Sequence, residues 1–277
     1  MKPIPETIWA AIRDGSSETC SAVRAQPGGQ AGRTAGAVTW AYWAGRTDRA
    51  RRGRHVTASG PVPDFVAYRA VRRGVRALLG GRPGAGAGRV PACPEWTVTD
   101  LLGHLTVIAG RVLERHGGHP AAPAGTAGVP ELLDHWDDVG EELDRRLEVA
   151  GGRSGAVMVM DAYTHELDLC AALGVAPPEA HAARAPSFAV LVRGLSGSIA
   201  AHGLPALRLR TTAGEEWAAG DGRPAATVTA PAHDLYRALA GRRSPAQLAA
   251  LDWSAAPEPW LPAFSWGPFT PPSQPGV

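Results

Sequence analysis

Residues 154–174 read SGAVMVMDAYTHELDLCAALG, and this stretch predicts the helix on which the fold depends. Its apolar residues recur at helical spacing, and Gly174 is placed to end the helix. Asp161 and His165 are four residues apart, so they differ by only about 40° around the helix axis and point the same way. Asp168 follows three residues later on the same face. A carboxylate and an imidazole at this spacing can take two positions on one metal ion.

Three further helices are predicted before this one. Helical periodicity marks residues 64–81, the stretch that starts at Thr97, and residues 129–152. Thr97 is followed three residues later by Asp100, an acidic variant of the capping box that begins many helices. Four helices with short connections predict an antiparallel four-helix bundle. His104 lies in the apolar stripe of the second helix and is therefore expected to face the bundle interior.

These residues together predict a site for one divalent metal, with zinc the favoured ion. Metal sites in bundles are built from inward side chains of facing helices. Two histidines and one carboxylate, His104, Asp161 and His165, leave an open coordination position, which is typical of catalytic rather than structural zinc. Asp100 and Asp168 are predicted to lie behind the ligands and to orient them. The alternatives are a satisfied core histidine at position 104 and a solvated acid–histidine pair on the fourth helix.

The sequence offers little support for a protein nucleophile. Cys93 could be a thiolate ligand or a nucleophile, although a buried and inert cysteine before a helix is the more frequent case. No GxSxG motif, phosphate-binding loop or dinucleotide fingerprint occurs in the chain. Any covalent chemistry is therefore expected to use a nucleophile supplied from outside.

Charge and composition exclude several classes of partner. The net charge is +2, and residues 1–60 carry nine basic and four acidic residues, which leaves the rest mildly acidic. This gives no electrostatic footprint for nucleic acid. No apolar stretch is long enough for a membrane span, and the amino terminus lacks a signal peptide, so a cytoplasmic protein is expected. Lys2 is the only lysine, which indicates a GC-rich genome of the actinobacterial kind.

Composition and periodicity predict that the chain consists of an amino-terminal extension and two domains. Residues 1–60 have broken periodicity and are predicted to be a disordered extension or translated upstream sequence, with an Arg-rich arm for nucleic acid or acidic lipid as the alternative. Residues 61–178 form the bundle. Residues 181–270 form a small α+β domain, so the fold class is α+β overall. This domain is predicted to contain helices at 185–203, 231–243 and 244–253 and strands at 206–212, 215–220 and 225–230.

The chain resembles a known family at three motifs. The segments VPACPEWTVTDLLGHL (90–105) and MDAYTHELDLCAALG (160–174) are similar to two signatures of the mycothiol-dependent maleylpyruvate isomerase family. A third segment, ATVTAPAHDLYRALAGRR (226–243), resembles the carboxy-terminal domain of that family. The resemblance implies a DinB-like metal-binding bundle, with His104, Asp161 and His165 at the positions of the family's ligands.

The resemblance also implies a reaction. A zinc-dependent isomerase or S-transferase would use mycothiol, a low-molecular-weight thiol, as co-substrate and a small electrophile, maleylpyruvate-like or xenobiotic, as substrate. A dicarboxylate substrate needs cations, and Arg242 and Arg243 are the candidates; the alternative is a solvent-exposed helix end that favours positive charge. The rival function is a non-enzymatic metal-binding bundle that binds a ligand or a partner protein. The oligomeric state stays open.

Overall fold

A computed structural model describes residues 61–121, 127–151 and 155–276 of the chain. The predicted extension, residues 1–60, lies outside the described residues. Within them, helices are combined with short strands in an α+β architecture, and no described helix is both long and apolar enough to span a membrane.

Four helices form the amino-terminal bundle, as predicted. They are α1 (Asp64–Leu79), α2 (Val98–Arg115), α3 (Val129–Ala150) and α4 (Ala156–Leu173). Helix α1 packs on α3 and α4, and helix α2 packs on the same two helices. The core between them is mostly apolar, and it also contains the buried Arg72–Asp144 ion pair and a 2.7 Å hydrogen bond from the Trp136 indole to the Tyr68 hydroxyl. The packing of α2 on α4 brings two of the sequence motifs together.

The ends of these helices follow the local signals in the sequence. Helix α2 begins at the predicted capping box: the Thr97 hydroxyl accepts from the Asp100 backbone N–H, and the Asp100 carboxylate accepts from the Thr97 backbone N–H. Helix α4 ends at Gly174, whose φ of 63° is a left-handed conformation that glycine adopts without strain. Both predictions are confirmed.

A short hairpin between α1 and α2 has no counterpart in the predictions. A 3₁₀ turn (Pro83–Ala87) leads into strand β1 (Arg89–Val90), which pairs antiparallel with β2 (Cys93–Thr97). Strand β2 runs directly into helix α2, so its side chains are held next to the face of that helix.

The carboxy-terminal part contains a four-stranded sheet in the order β4-β3-β5-β6. Strands β3 (Leu207–Thr211) and β5 (Ala226–Ala230) are parallel, whereas the outer strands β4 (Glu216–Ala219) and β6 (Asp252–Trp253) pair antiparallel with them. The inward residues of β3 and β5 alternate with half-buried ones, as the period of a strand requires. The predicted strands at 206–212, 215–220 and 225–230 are confirmed.

Three helices accompany this sheet: α5 (Arg184–Ala201), α6 (Ala232–Leu239) and α7 (Pro245–Ala249). The prediction of one helix over 244–253 was wrong in its second half, because Asp252 and Trp253 pair with β5 instead. The Trp253 indole donates to the Leu248 carbonyl at 2.9 Å, so it caps the helix that it was expected to extend. Helix α5 packs on both α4 and β4 and thus joins the two predicted domains, whose boundaries stay a prediction.

Candidate metal centre

The centre is built where helix α2 crosses helix α4. His104 projects from the middle of α2 and is 6% exposed. This burial is expected for a residue in the apolar stripe of the helix. Asp161 and His165 lie one turn apart on α4, and their side chains face α2. The His104 Nε2 atom lies 3.3 Å from Asp161 Oδ2, and the His165 Nε2 atom lies 3.7 Å from Asp161 Oδ1. One carboxylate thus bridges two imidazoles from different helices.

The donor set has the chemistry of a divalent-metal site. One ligand atom from each of His104, Asp161 and His165 can be chosen so that all three lie within 4.8 Å of one another. Ligands about 2 Å from zinc lie no more than about 4 Å apart, so a small closure would bring the set onto one ion. Burial alone would raise the pKa of Asp161, but the two imidazoles outweigh it and hold that pKa below its ordinary value. The carboxylate is therefore in the charged form that a metal needs.

The centre is open on the side of the carboxylate. The side chains of His104 and His165 are each 8% exposed, whereas that of Asp161 is 31% exposed. A molecule approaching from solvent therefore meets Asp161 first, with both histidine rings behind it.

Asp168 supports the centre from within the protein. Its carboxylate is fully buried, and its Oδ2 atom lies 3.0 Å from His165 Nδ1. Because a carboxylate only accepts, His165 donates its Nδ1 proton to Asp168, which leaves Nε2 on the side of Asp161 available for a metal. The same carboxylate binds Arg237 and, at 2.9 Å, Arg242. Burial would raise the pKa of Asp168, but these two guanidinium groups hold it well below its usual range.

A second group of metal-binding residue types overlaps the first. The Cys93 sulfur and one atom each from His165 and Asp168 also lie within 4.8 Å of one another. Asp168, however, is already paired with two arginines, and a metal at this place would have to displace them. The first group is thus the better site, and Cys93 lies beside it on strand β2.

The other predicted site residues are Asp100, Arg242 and Arg243, and only one of them lies near the centre. Asp100 is exposed and binds Thr97 in the capping box, so the structure does not bring it to the second ring nitrogen of His104. Arg242 faces the centre through Asp168, and that carboxylate raises the pKa of Arg242 although burial alone would lower it. Arg243 points away and binds Asp234 at 2.7 Å. Of the two predicted substrate cations, the structure brings only Arg242 to the centre.

Sequence reasoning missed two neighbours of the centre and one buried pair. Arg237, nearly fully buried on α6, binds Asp168, and the Trp96 ring lies against both histidines. Outside the centre, His181 lies 3.2 Å from the buried carboxylate of Glu166. Each contact joins residues from different elements, so no spacing along the sequence could have indicated it.

Comparison with known families agrees with the motifs. Residues 68–204, which include the candidate ligands His104, Asp161 and His165, match the model of the mycothiol maleylpyruvate isomerase N-terminal domain. No curated protein and no solved structure matches the chain. Residues 68–204 therefore form a mycothiol maleylpyruvate isomerase N-terminal domain.

Proposed function

We propose that the chain is a zinc-dependent enzyme that uses mycothiol to attack a small electrophile, as an isomerase or an S-transferase. The observation that carries the proposal is the convergence of His104, Asp161 and His165 at a centre open to solvent on the Asp161 side. Three protein ligands leave one position for an exogenous molecule. The family of the domain at residues 68–204 suggests the thiol and the type of reaction.

The bound metal would lower the pKa of a coordinated thiol and so favour the nucleophilic thiolate. The chain's own residues have three tasks in this proposal. Asp168 fixes the His165 ring through Nδ1, which keeps Nε2 free for the metal. Arg237 and Arg242 hold Asp168 in place. The buried side chains of His104 and His165 exclude water from the inner side of the centre.

The charges around the centre favour an electrophile that carries a carboxylate. Arg237 and Arg242 both bind the carboxylate of Asp168, and these three side chains together carry a net charge of +1 beside the centre. A divalent ion on two neutral imidazoles and one Asp161 carboxylate would add another. An anionic thiol and a carboxylate on the electrophile would balance both charges. In an isomerase the thiol adds to a carbon–carbon double bond, the bond rotates, and the thiol leaves; in a transferase it stays attached.

A closed metal site is the second candidate, and the position of Cys93 favours it. Its sulfur lies within 4.8 Å of a His165 ring nitrogen, close enough for a modest movement of β2 to make it a fourth ligand. A site closed in this way would stabilise the bundle and have no place for a substrate. The function would then be binding of a ligand or partner protein elsewhere on the fold.

The test compares His165→Ala with His202→Ala, a matched control at the exposed end of α5. Zinc content would be measured by mass spectrometry after dialysis, and turnover by the thiol-dependent consumption of maleylpyruvate and other small electrophiles. We expect the wild type and the control to hold one zinc and to turn over, and His165→Ala to lose both. Stoichiometric zinc in the wild type without thiol-dependent turnover would support the closed site instead. A wild type that retains no zinc would overturn both functions.

A further inference from the structure

The indole of Trp96 touches both histidines of the candidate centre. Its ring centroid lies 5.1 Å from that of His104, with the planes tilted by 47°, and 6.0 Å from that of His165, with the planes nearly parallel at 30°. The two imidazoles are themselves edge-to-face at 5.1 Å. The three rings thus form one cluster, in which Trp96 is the only member that is not a candidate ligand.

The backbone next to Trp96 is fixed on its carboxyl side. Trp96 lies on β2, where Thr97 pairs with Arg89 of β1, and Thr97 is also the residue that caps helix α2. The indole is half-buried against the bundle. A large planar side chain with only two rotatable bonds loses little conformational freedom when its backbone is held in this way.

Both imidazoles need such a restraint. The final torsion of a histidine side chain is broad, so packing or hydrogen bonding must set the direction of each ring. His165 has a hydrogen-bonding partner at Nδ1 in Asp168, whereas among the described residues the side-chain polar contact of His104 is with Asp161 itself. Trp96 restrains the His104 ring independently of the carboxylate, and it touches His165 as well.

We infer that Trp96 is a positioning residue that holds the two imidazoles in their ligating orientation and covers one side of the metal. This inference rests on the proposed metal site. Ligand side chains that are locked by their surroundings bind metal more tightly than free ones, because less freedom is lost on binding. Removing the indole should therefore weaken the metal, while a smaller aromatic ring at the same place should preserve much of the restraint.

The experiment compares Trp96→Ala, Trp96→Phe and the control Trp217→Phe. Trp217 is a matched control because it stacks on Phe188 at 4.6 Å in the carboxy-terminal part, away from both histidines. Zinc affinity would be measured by competition with a chromophoric chelator. We expect Trp96→Ala to bind zinc about tenfold more weakly, the low end of the loss seen when groups behind metal ligands are removed. Trp96→Phe should recover most of that loss, and Trp217→Phe should match the wild type.

A second measurement stays informative even if Trp96→Ala folds poorly. Co²⁺ bound at the centre would quench the fluorescence of a touching indole, and its visible spectrum reports the ligand geometry. The quenching should be present in the wild type and in Trp217→Phe and largely lost in Trp96→Phe. Unchanged zinc affinity, quenching and Co²⁺ spectrum in the Trp96 variants would overturn the positioning role while leaving the metal site intact. A wild type that binds neither ion would overturn the site and this inference together.

Discussion

The His104 Nε2 atom and the Asp161 Oδ2 atom lie 3.3 Å apart, although 57 positions separate these residues in the sequence. The contact joins helix α2 to helix α4 at the point where the second histidine, His165, also arrives. The bundle therefore does more than bury apolar surface: it sets the distance between donors that no local segment could bring together.

Asp161→Asn is expected to abolish stoichiometric zinc binding. The substitution keeps the size of the side chain but replaces a charged oxygen ligand with a neutral amide, which is a poor partner for zinc. Asp161→Glu should retain zinc, because a carboxylate remains and only its reach changes by one methylene. Equilibrium dialysis with zinc followed by metal analysis checks both variants. Equal zinc retention by Asp161→Asn and the wild type would remove Asp161 from the ligand set.

Asp168→Asn is expected to damage both the metal site and the fold. The amide cannot neutralise Arg237 and Arg242, and the loss of one partner from a buried ion pair costs about 3–5 kcal/mol. It also weakens the bond that orients His165, which should lower zinc affinity by about 10–100-fold. Asp234→Asn is the matched control, because Asp234 binds the single arginine Arg243 and its side chain is 40% exposed. Thermal unfolding with and without zinc separates the two effects; similar behaviour of the two variants would contradict the role of Asp168.

Cys170 is expected to resist alkylation at pH 8. It is 2% exposed, and burial, helped by the neighbouring charge of Glu166, raises the pKa of its thiol to about 11. A raised thiol pKa leaves only about 0.1% of the reactive thiolate at pH 8, and that fraction grows as the pH approaches 11. Peptide mass spectrometry after a timed iodoacetamide pulse at pH 8 and pH 10 measures the modification. Complete labelling of Cys170 at pH 8 in the folded protein would show that its environment is not the one described.

Cys93→Ala is expected to keep both the metal and thiol-dependent turnover. In the proposed function the thiol comes from outside, and Cys93 lies beside the ligand set without belonging to it. The Co²⁺-loaded protein provides the measurement, because a sulfur ligand gives a charge-transfer band in the near ultraviolet. The band should be absent until a small thiol is added, in the wild type and in Cys93→Ala alike. A band in the thiol-free wild type that vanishes in Cys93→Ala would identify Cys93 as a fourth ligand and favour the closed site.

The features that could be predicted from the sequence were those that depend on a single continuous segment. Helix α2 follows from the Thr97–Asp100 capping box, and helix α4 follows from apolar periodicity ended by Gly174. The pair Asp161 and His165 follows from helical geometry alone. His104 needed a further assumption, that α2 faces α4, which four amphipathic helices and the family motifs together made reasonable.

Features that depend on contacts between distant segments could not be read in this way. Asp100 was expected behind His104, but its carboxylate binds the nearby Thr97, because a helix start leaves backbone donors that a local acid satisfies first. Arg237 gave no signal as a partner of Asp168, since 69 positions separate them. Asp252 and Trp253 continue a helical pattern in the sequence. In the structure they pair with the edge of β5 and form a strand instead.

Gly194→Ala is expected to destabilise the protein, whereas Gly103→Ala should be neutral or stabilising. Both glycines lie inside helices, where alanine is normally preferred by about 0.5–1 kcal/mol. A Cβ at Gly103 would meet no other heavy atom within 4 Å, so this preference should appear unopposed. A Cβ at Gly194 would overlap the six-membered ring of Trp266, which packs on α5 from the carboxy-terminal tail.

The indole of Trp266 is rigid and is held by its pairing with Phe269, whose ring lies edge-on at 4.9 Å. The ring cannot yield locally, so the tail must move away from α5, at a cost of about 1–3 kcal/mol. Urea unfolding curves of the two variants and the wild type measure the difference. Equal stability of Gly194→Ala and Gly103→Ala would mean that the tail does not pack on α5 in solution. Trp266→Ala in the Gly194→Ala background should remove most of the penalty, because the overlap then disappears.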